Sequence, residues 1–291
     1  GHGIAEFFAM NGYPVNLYEP YEPMRLSCLD TIKGELEFLA ENELIKAEEV
    51  QESLERITLF ADLDSAVKDV DYVIEATRED LGLKQDLFQR LEILTKPETI
   101  LASNTSSLAL NKMIEKVSDE KKGKCMVCHW YNPAHLMPLV ELSFFGNMDE
   151  ETFKEVEELY DRAGKQTCRV LKDVPGLVAN RIQQGVAREA FSLIEQGIAS
   201  PKDIDKALKF GPAFRYATTG QLEVADMGGL DIWCTVGDNL LADMDNRKEA
   251  NPVLRAKVEE GKLGMKNLSK GVKVDVLETQ YRRLKMLSIR S

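Results

Sequence analysis

The amino-acid sequence predicts an α/β fold, a doubly wound sheet followed by an all-α C-terminal domain. Over the first 170 residues or so, short apolar runs of strand type alternate with segments of helical period, the pattern of a parallel sheet covered on both faces. From Pro175 onward only amphipathic helical patterns recur and no convincing strand is found. The opening stretch, GHGIAEFFAMNGYPVNLYEP, adds a half unit of such a sheet: helix, glycine stop, strand and acid in quick succession. With 291 residues, 44% hydrophobic and 30% charged, the chain can fill the cores of two domains.

The elements follow in chain order. Ile4, Ala5, Phe8 and Met10 lie at helical spacing, Gly12 stops that helix, and Pro14 to Tyr18 read as a strand ending at Glu19. Leucines at helical spacing from Met24 to Leu54, with a break near Asn42, predict a helical hairpin inserted over residues 22–56. Strands are expected at Ile57–Phe60, Asp71–Ala76, Thr99–Ser103 and around Cys125–Cys128, with a helix at 83–95. At Lys172-Asp173-Val174-Pro175-Gly176 a turn feeds a helix whose first turn tolerates proline, which sets a boundary between domains 1–172 and 173–291. Helices are expected at about 176–198, 201–209, 220–246 and 252–261, and a basic amphipathic helix with Arg282, Arg283 and Lys285 over the last twenty residues.

Charge and cysteine content exclude several functions. With 49 acidic against 37 basic residues the net charge is −12, so broad binding to nucleic acid or to an anionic membrane is not expected. No apolar run reaches membrane-span length and no signal peptide is visible, and five scattered cysteines fit free thiols in the reducing cytoplasm; a removed targeting segment stays open.

In a doubly wound sheet ligands sit at the carboxyl ends of the strands, so the residues after each strand come first. Glu19 lies 18 residues beyond Gly1, near the distance at which a Rossmann-type unit places an acid on a ribose hydroxyl pair, which favours NAD over NADP. The plainer reading is an exposed acid before Pro20. Gly1 matches the last glycine of a G-x-G-x-x-G turn, whose strand and first glycines are expected ahead of residue 1. Ser103-Asn104-Thr105-Ser106-Ser107-Leu108, Cys128-His129-Trp130-Tyr131-Asn132-Pro133 and Pro138-Leu139-Val140-Glu141 look like pieces of one site, and Asn180 sits one helical turn inside the second domain.

The ordered set N-T-S-S, H-x-x-N-P, L-V-E and P-G-x-x-x-N-R resembles the L-3-hydroxyacyl-CoA dehydrogenase family, including the bacterial 3-hydroxybutyryl-CoA dehydrogenases, over nearly the whole chain. The resemblance implies NAD-dependent oxidation of a short 3-hydroxyacyl-CoA to the 3-ketoacyl-CoA, or the reverse, as in fatty-acid β-oxidation and butanoate metabolism. That chemistry needs a group that takes the hydroxyl proton as hydride leaves and returns it in reverse, and histidine titrates in the right range. His129 is the candidate, with Glu141 orienting the ring; twelve residues apart, they need a chain reversal to meet. Ser106 and Asn180 would hold the substrate oxygens. Gly1, Gly3, Glu19, Ala76, Glu79, Lys84 and Asn104 would line the NAD site, and Lys33 and Lys46 of the hairpin would meet the CoA phosphates. The second domain would form a homodimer. The competing structural readings are a satisfied strand histidine for His129, a helix N-cap for Ser106 and a backbone-bonding helix residue for Asn180.

Cys125-Met126-Val127-Cys128-His129 also matches the C-x-x-C-H of haem attachment, but on a strand the two cysteines point to opposite faces. No Cys or His pair lies at zinc-ligand spacing, so no metal is expected. The chain departs from the family pattern at Phe214–Glu223, at Gly271-Val272-Lys273 and in the hairpin, where Glu35, Glu37, Glu41 and Glu43 are acidic and repel phosphates. Three functions therefore remain: a 3-hydroxyacyl-CoA dehydrogenase, a dehydrogenase of a CoA-free hydroxy acid of gulonate or diketo-acid type, and a nucleotide-binding lens-type relative without turnover.

Overall fold

The computed structural model describes residues 1–216 and 218–267; the tail motif at Gly271–Lys273 and the basic C-terminal helix lie outside the described residues. The chain divides into two compact units, the first Gly1–Val178 and the second from Ala179 on.

The first unit runs α1 (His2–Met10), β1 (Val15–Tyr18), α2 (Glu22–Glu41), α3 (Ala47–Glu55), β2 (Ile57–Phe60), α4 (Leu63–Val67), β3 (Tyr72–Glu75), α5 (Leu81–Leu94), β4 (Ile100–Ser103), α6 (Leu110–Met113), α7 (Asp119–Lys122), β5 (Cys125–Trp130), β6 (Leu139–Ser143), α8 (Glu150–Arg162) and β7 (Gln166–Val170). Local chemistry fixes many of the starts: Asp80 accepts from the Leu83 N–H at 2.9 Å to cap α5, and Asp149 from the Thr152 N–H at 2.8 Å to cap α8. The hairpin is α2 and α3, broken after Asn42 at Glu43, which takes φ 59°.

β1 and β2 pair in parallel, and a separate five-stranded sheet follows the order β3-β4-β5-β6-β7. β1 and β3 are not paired with each other. The parallel pattern breaks once, at the reversal expected between His129 and Glu141. β5 and β6 are antiparallel, because the eight residues 131–138 are too few for a crossover between parallel strands.

β5 is buried along its whole length, and its side chains divide by alternation. Met126, Cys128 and Trp130 join the core built on Phe7, Phe8, Val140, Phe153 and Tyr160, while Cys125 and Val127 join the opposite core of Phe88, Leu91, Leu101 and Met113. Cys125 and Cys128 thus face apart, as strand geometry requires. A third small core of Ala9, Ile32, Leu36 and Ile57 fixes α2 onto α1 and β2.

The break between units falls after Val178, six residues beyond the expected Lys172, because the intervening segment is bound to the first unit. Asp173 accepts from the Leu110 N–H at 2.9 Å, the Gly176 N–H donates to the Ser106 carbonyl at 2.9 Å, and Leu177 is buried in the second core. The second unit contains α9 (Ala179–Glu195), α10 (Pro201–Phe210), α11 (Pro212–Tyr216), α12 (Gln221–Gly228), α13 (Leu230–Leu240) and α14 (Pro252–Glu259), with no strand among the described residues. The single helix expected over 220–246 is two helices: Gly229 lies at φ 92°, a conformation that favours glycine and ends the helix. No helix of the described residues is long and apolar enough to cross a membrane.

Candidate active site

The antiparallel pairing of β5 with β6 sets His129 directly opposite Glu141, on one face of the sheet. His129 Nδ1 lies 2.8 Å from Glu141 Oε2. A carboxylate only accepts, so this contact fixes the proton on Nδ1 and leaves Nε2 with its lone pair. Glu141 is 0% exposed, and its other oxygen accepts from the Val178 N–H at 2.8 Å. Held at both oxygens, the carboxylate cannot rotate away from the ring. Tyr131 meets the imidazole edge-on at 5.4 Å between centroids, and His129 as a whole is 7% exposed.

The end of β4 is joined to this pair. Asn104 Oδ1 accepts from the Trp130 N–H at 2.8 Å, while the Asn104 N–H donates to the Glu75 carbonyl at 2.8 Å, so the polar turn after β4 is tied to β3 on one side and β5 on the other. Glu79 organises the rest of the turn. It accepts from the Thr105 hydroxyl at 2.5 Å, the Ser107 hydroxyl at 2.7 Å and the N–H groups of Ser106 and Ser107. Burial works against the charge, but the Thr105 and Ser107 hydroxyls and the Lys84 ammonium hold the Glu79 carboxyl below the usual range. Thr105, not Ser106, caps the following turn, accepting from the Leu108 N–H at 3.0 Å; the N-cap reading of Ser106 is thereby corrected. The pieces 103–108, 128–133 and 138–141 are one connected site, and Gly176 adds the segment after β7 through the Ser106 carbonyl.

Lys84 departs from its expected place among the cofactor contacts. Its ammonium is 1% exposed and donates to both oxygens of Glu75 at 2.8 Å, with Glu79 at 3.6 Å, while Glu75 also accepts from the Ser103 hydroxyl at 2.6 Å. A buried carboxylate needs this compensation, so Lys84 supports the β3–β4 ends from beneath instead of facing a ligand. Of the hairpin lysines, Lys33 is ion-paired to Glu37 at 3.7 Å along its own helix, and Lys46 is the N-cap residue of α3. Asn180 is the second residue of α9 and belongs to the second unit.

The residues at the strand ends fit a dinucleotide. The N-terminus of α1 carries glycines at Gly1 and Gly3, and a Cβ on Gly3 would stand 3.5 Å from Ala134 Cβ and His135 Nδ1, so the backbones approach closely there. Glu19 stands immediately after β1, with one oxygen taken by the Tyr21 N–H at 2.8 Å and the other available to a ribose hydroxyl. Ala76 is exposed just past β3 and Asn104 lies just past β4. Sequence reasoning missed Lys165, whose ammonium donates to the carbonyls of Ala134 at 2.7 Å and Met137 at 2.6 Å over the faces of Phe7 and Trp130, holding the turn that precedes β6. Its nearest sequence signal is a lone lysine between Gly164 and a strand.

Residues 1–174 match the family model of the 3-hydroxyacyl-CoA dehydrogenase NAD-binding domain, and residues 176–274 that of the C-terminal domain. The chain belongs to the 3-hydroxyacyl-CoA dehydrogenase family. As a member of this oxidoreductase family it uses NAD and acts on a small molecule. A probable 3-hydroxybutyryl-CoA dehydrogenase of Bacillus subtilis is 33% identical over 92% of this chain and 91% of its own length. A 5-formyl-3-hydroxy-2-methylpyridine 4-carboxylate 5-dehydrogenase of Mesorhizobium japonicum is 33% identical over 71% of this chain and 66% of its own length. A crystal structure of a dehydrogenase of that activity, described as an NAD+-dependent dismutase, superposes with a TM-score of 0.87 at 27% identity and covers 100% of this chain and 94% of its own. This family member therefore has relatives with CoA-linked substrates and others whose names carry no CoA.

Proposed function

We propose that this chain interconverts a short 3-hydroxyacyl-CoA and its 3-ketoacyl-CoA, with His129 as the acid-base group. The observation that carries the reading is the His129–Glu141 contact at 2.8 Å, which leaves Nε2 as a proton acceptor. NAD, held at the strand ends near Gly1, Gly3, Glu19 and Asn104, would supply the hydride acceptor for the carbinol carbon. His129 Nε2 takes the hydroxyl proton in the same step, and the buried Glu141 carboxylate stabilises the imidazolium that forms. In the reverse direction the imidazolium returns that proton to the carbonyl oxygen. Ser106 and Asn180 hold the substrate oxygens in this scheme, and Glu19 selects NAD over NADP through the ribose.

Initial rates with acetoacetyl-CoA and NADH, against acetoacetate and other CoA-free keto acids, test the substrate. His129→Ala should lower turnover by roughly 10²–10⁴-fold; an unchanged rate refutes the role. A second reading, a CoA-free hydroxy acid, is favoured by the acidic hairpin: Glu22, Asp30, Glu35, Glu37 and Glu41 lie on α2, and Lys33 is already neutralised by Glu37. Repulsion of CoA phosphates by that helix makes the free acid the better substrate under this reading. Exposed apolar side chains in the second unit, among them Leu222 at 84% and Met227 at 81%, support a homodimer, which sizing chromatography tests.

A further inference from the structure

We propose that Glu6, Glu35 and His135 form a binding site for a divalent cation of the zinc class, separate from the His129–Glu141 pair. One ligand atom from each of these three residues can be chosen so that all lie within 4.8 Å of one another, close enough to share one ion. His135 Nδ1 stands 3.3 Å from Glu6 Oε2, and on the outer side His2 Nε2 stands 3.5 Å from Glu35 Oε1. The residues come from α1, α2 and the turn before β6, three elements that the Ala9, Ile32 and Leu36 core and the Lys165 clamp hold in place.

Glu6 supplies an independent sign of a ligand. It is 0% exposed, and neither of its carboxylate oxygens has a hydrogen-bond partner; the buried Oε2 of Glu35 has none either. Buried carboxylate oxygens that accept no hydrogen bond are costly, and a cation shared by Glu6, Glu35 and His135 would relieve that cost. An ion that binds two carboxylates and an imidazole uses all of them. Oxygen-only cations such as Ca²⁺ or Mg²⁺ do not suit an imidazole ligand, whereas Zn²⁺ and Co²⁺ do. His2 is half-exposed beside Glu35 and gives the site its solvent side. An ion here would fasten the first turn of α1, where Gly3 lies 3.5 Å short of His135 for a Cβ, to the turn before β6.

The test uses the tag-free full chain, stripped with EDTA, titrated with Zn²⁺ by calorimetry and with Co²⁺ by visible absorption. One equivalent should bind. Glu6→Gln, which keeps the shape of the side chain, should weaken it by more than the roughly 10–100-fold that loss of an outer partner of a metal ligand costs. His135→Gln should do the same and serves if Glu6→Gln does not fold. Either of two results overturns the proposal: no saturable binding of either ion, or binding that Glu6→Gln leaves intact and His129→Asn abolishes.

Discussion

Replacing Glu141 by Gln separates the orienting function of that acid from its bulk. The side chain is fully buried between His129 Nδ1 and the Val178 N–H, each at 2.8 Å. Gln keeps one acceptor oxygen, which the Val178 N–H can retain, but turns an amide NH₂ toward Nδ1. Two donors cannot face each other, so the ring must move its proton to Nε2, the nitrogen needed as base. Loss of one hydrogen bond to a charged group costs about 1.5–3 kcal/mol, or roughly 10–150-fold in rate. The tautomer penalty adds to this, and the comparable change in a serine-protease triad costs about 10⁴-fold. The expected fall in kcat is therefore roughly 10²–10⁴-fold, with KM for NAD nearly unchanged, measured by NADH absorbance on whichever substrate the wild-type enzyme turns over. Circular dichroism should show the fold intact. A kcat within about threefold of wild type refutes the assignment of Glu141 as the group that positions His129.

Lys84→Met should destabilise the first unit by about 3–5 kcal/mol, because it strands the buried Glu75 carboxylate; a change of less than about 1 kcal/mol in urea unfolding would refute the pairing. Glu79 has a lowered folded pKa, so its contribution is present above its ordinary value of about 4.5 and is lost as pH falls through the lower folded value. Glu79→Gln should accordingly flatten the acid limb of the melting temperature below about pH 4.5, and an unaltered limb contradicts the turn-organising role. Burial pushes the thiols of Cys125 up to about 12 and of Cys128 up to about 11, whereas Cys234 is exposed. Maleimide at neutral pH followed by peptide mass mapping should label Cys234 in the native protein and Cys125 and Cys128 only after unfolding.

The site was legible where chemistry lies in short segments of fixed order. His129 and Glu141 carry strand patterns on both sides, and the eleven residues between them allow only a reversal, which β5 and β6 provide. Lys84 was not legible in the same way: its partner Glu75 is nine residues away on another element, and no local pattern distinguishes a lysine under a sheet from one that faces a ligand. The boundary at Lys172 followed the turn signals of Pro175 and Gly176, but the hydrogen bonds that Asp173, Gly176 and Val178 make with Leu110, Ser106 and Glu141 decide where the first unit ends. Gly229 was visible as a residue, yet its neighbours Met227 and Leu230 continue the helical period, and only its backbone angle shows the break. Glu6, Glu35 and His135 come from three distant segments, so no spacing rule could assemble them.

The Glu141 carboxylate grips the last backbone amide before the chain leaves the first unit. The orientation of the proton-carrying ring is therefore coupled to the path of the connecting polypeptide, and a lengthened or stiffened linker at positions 176–178 would detune the chemistry without altering any side chain that meets substrate.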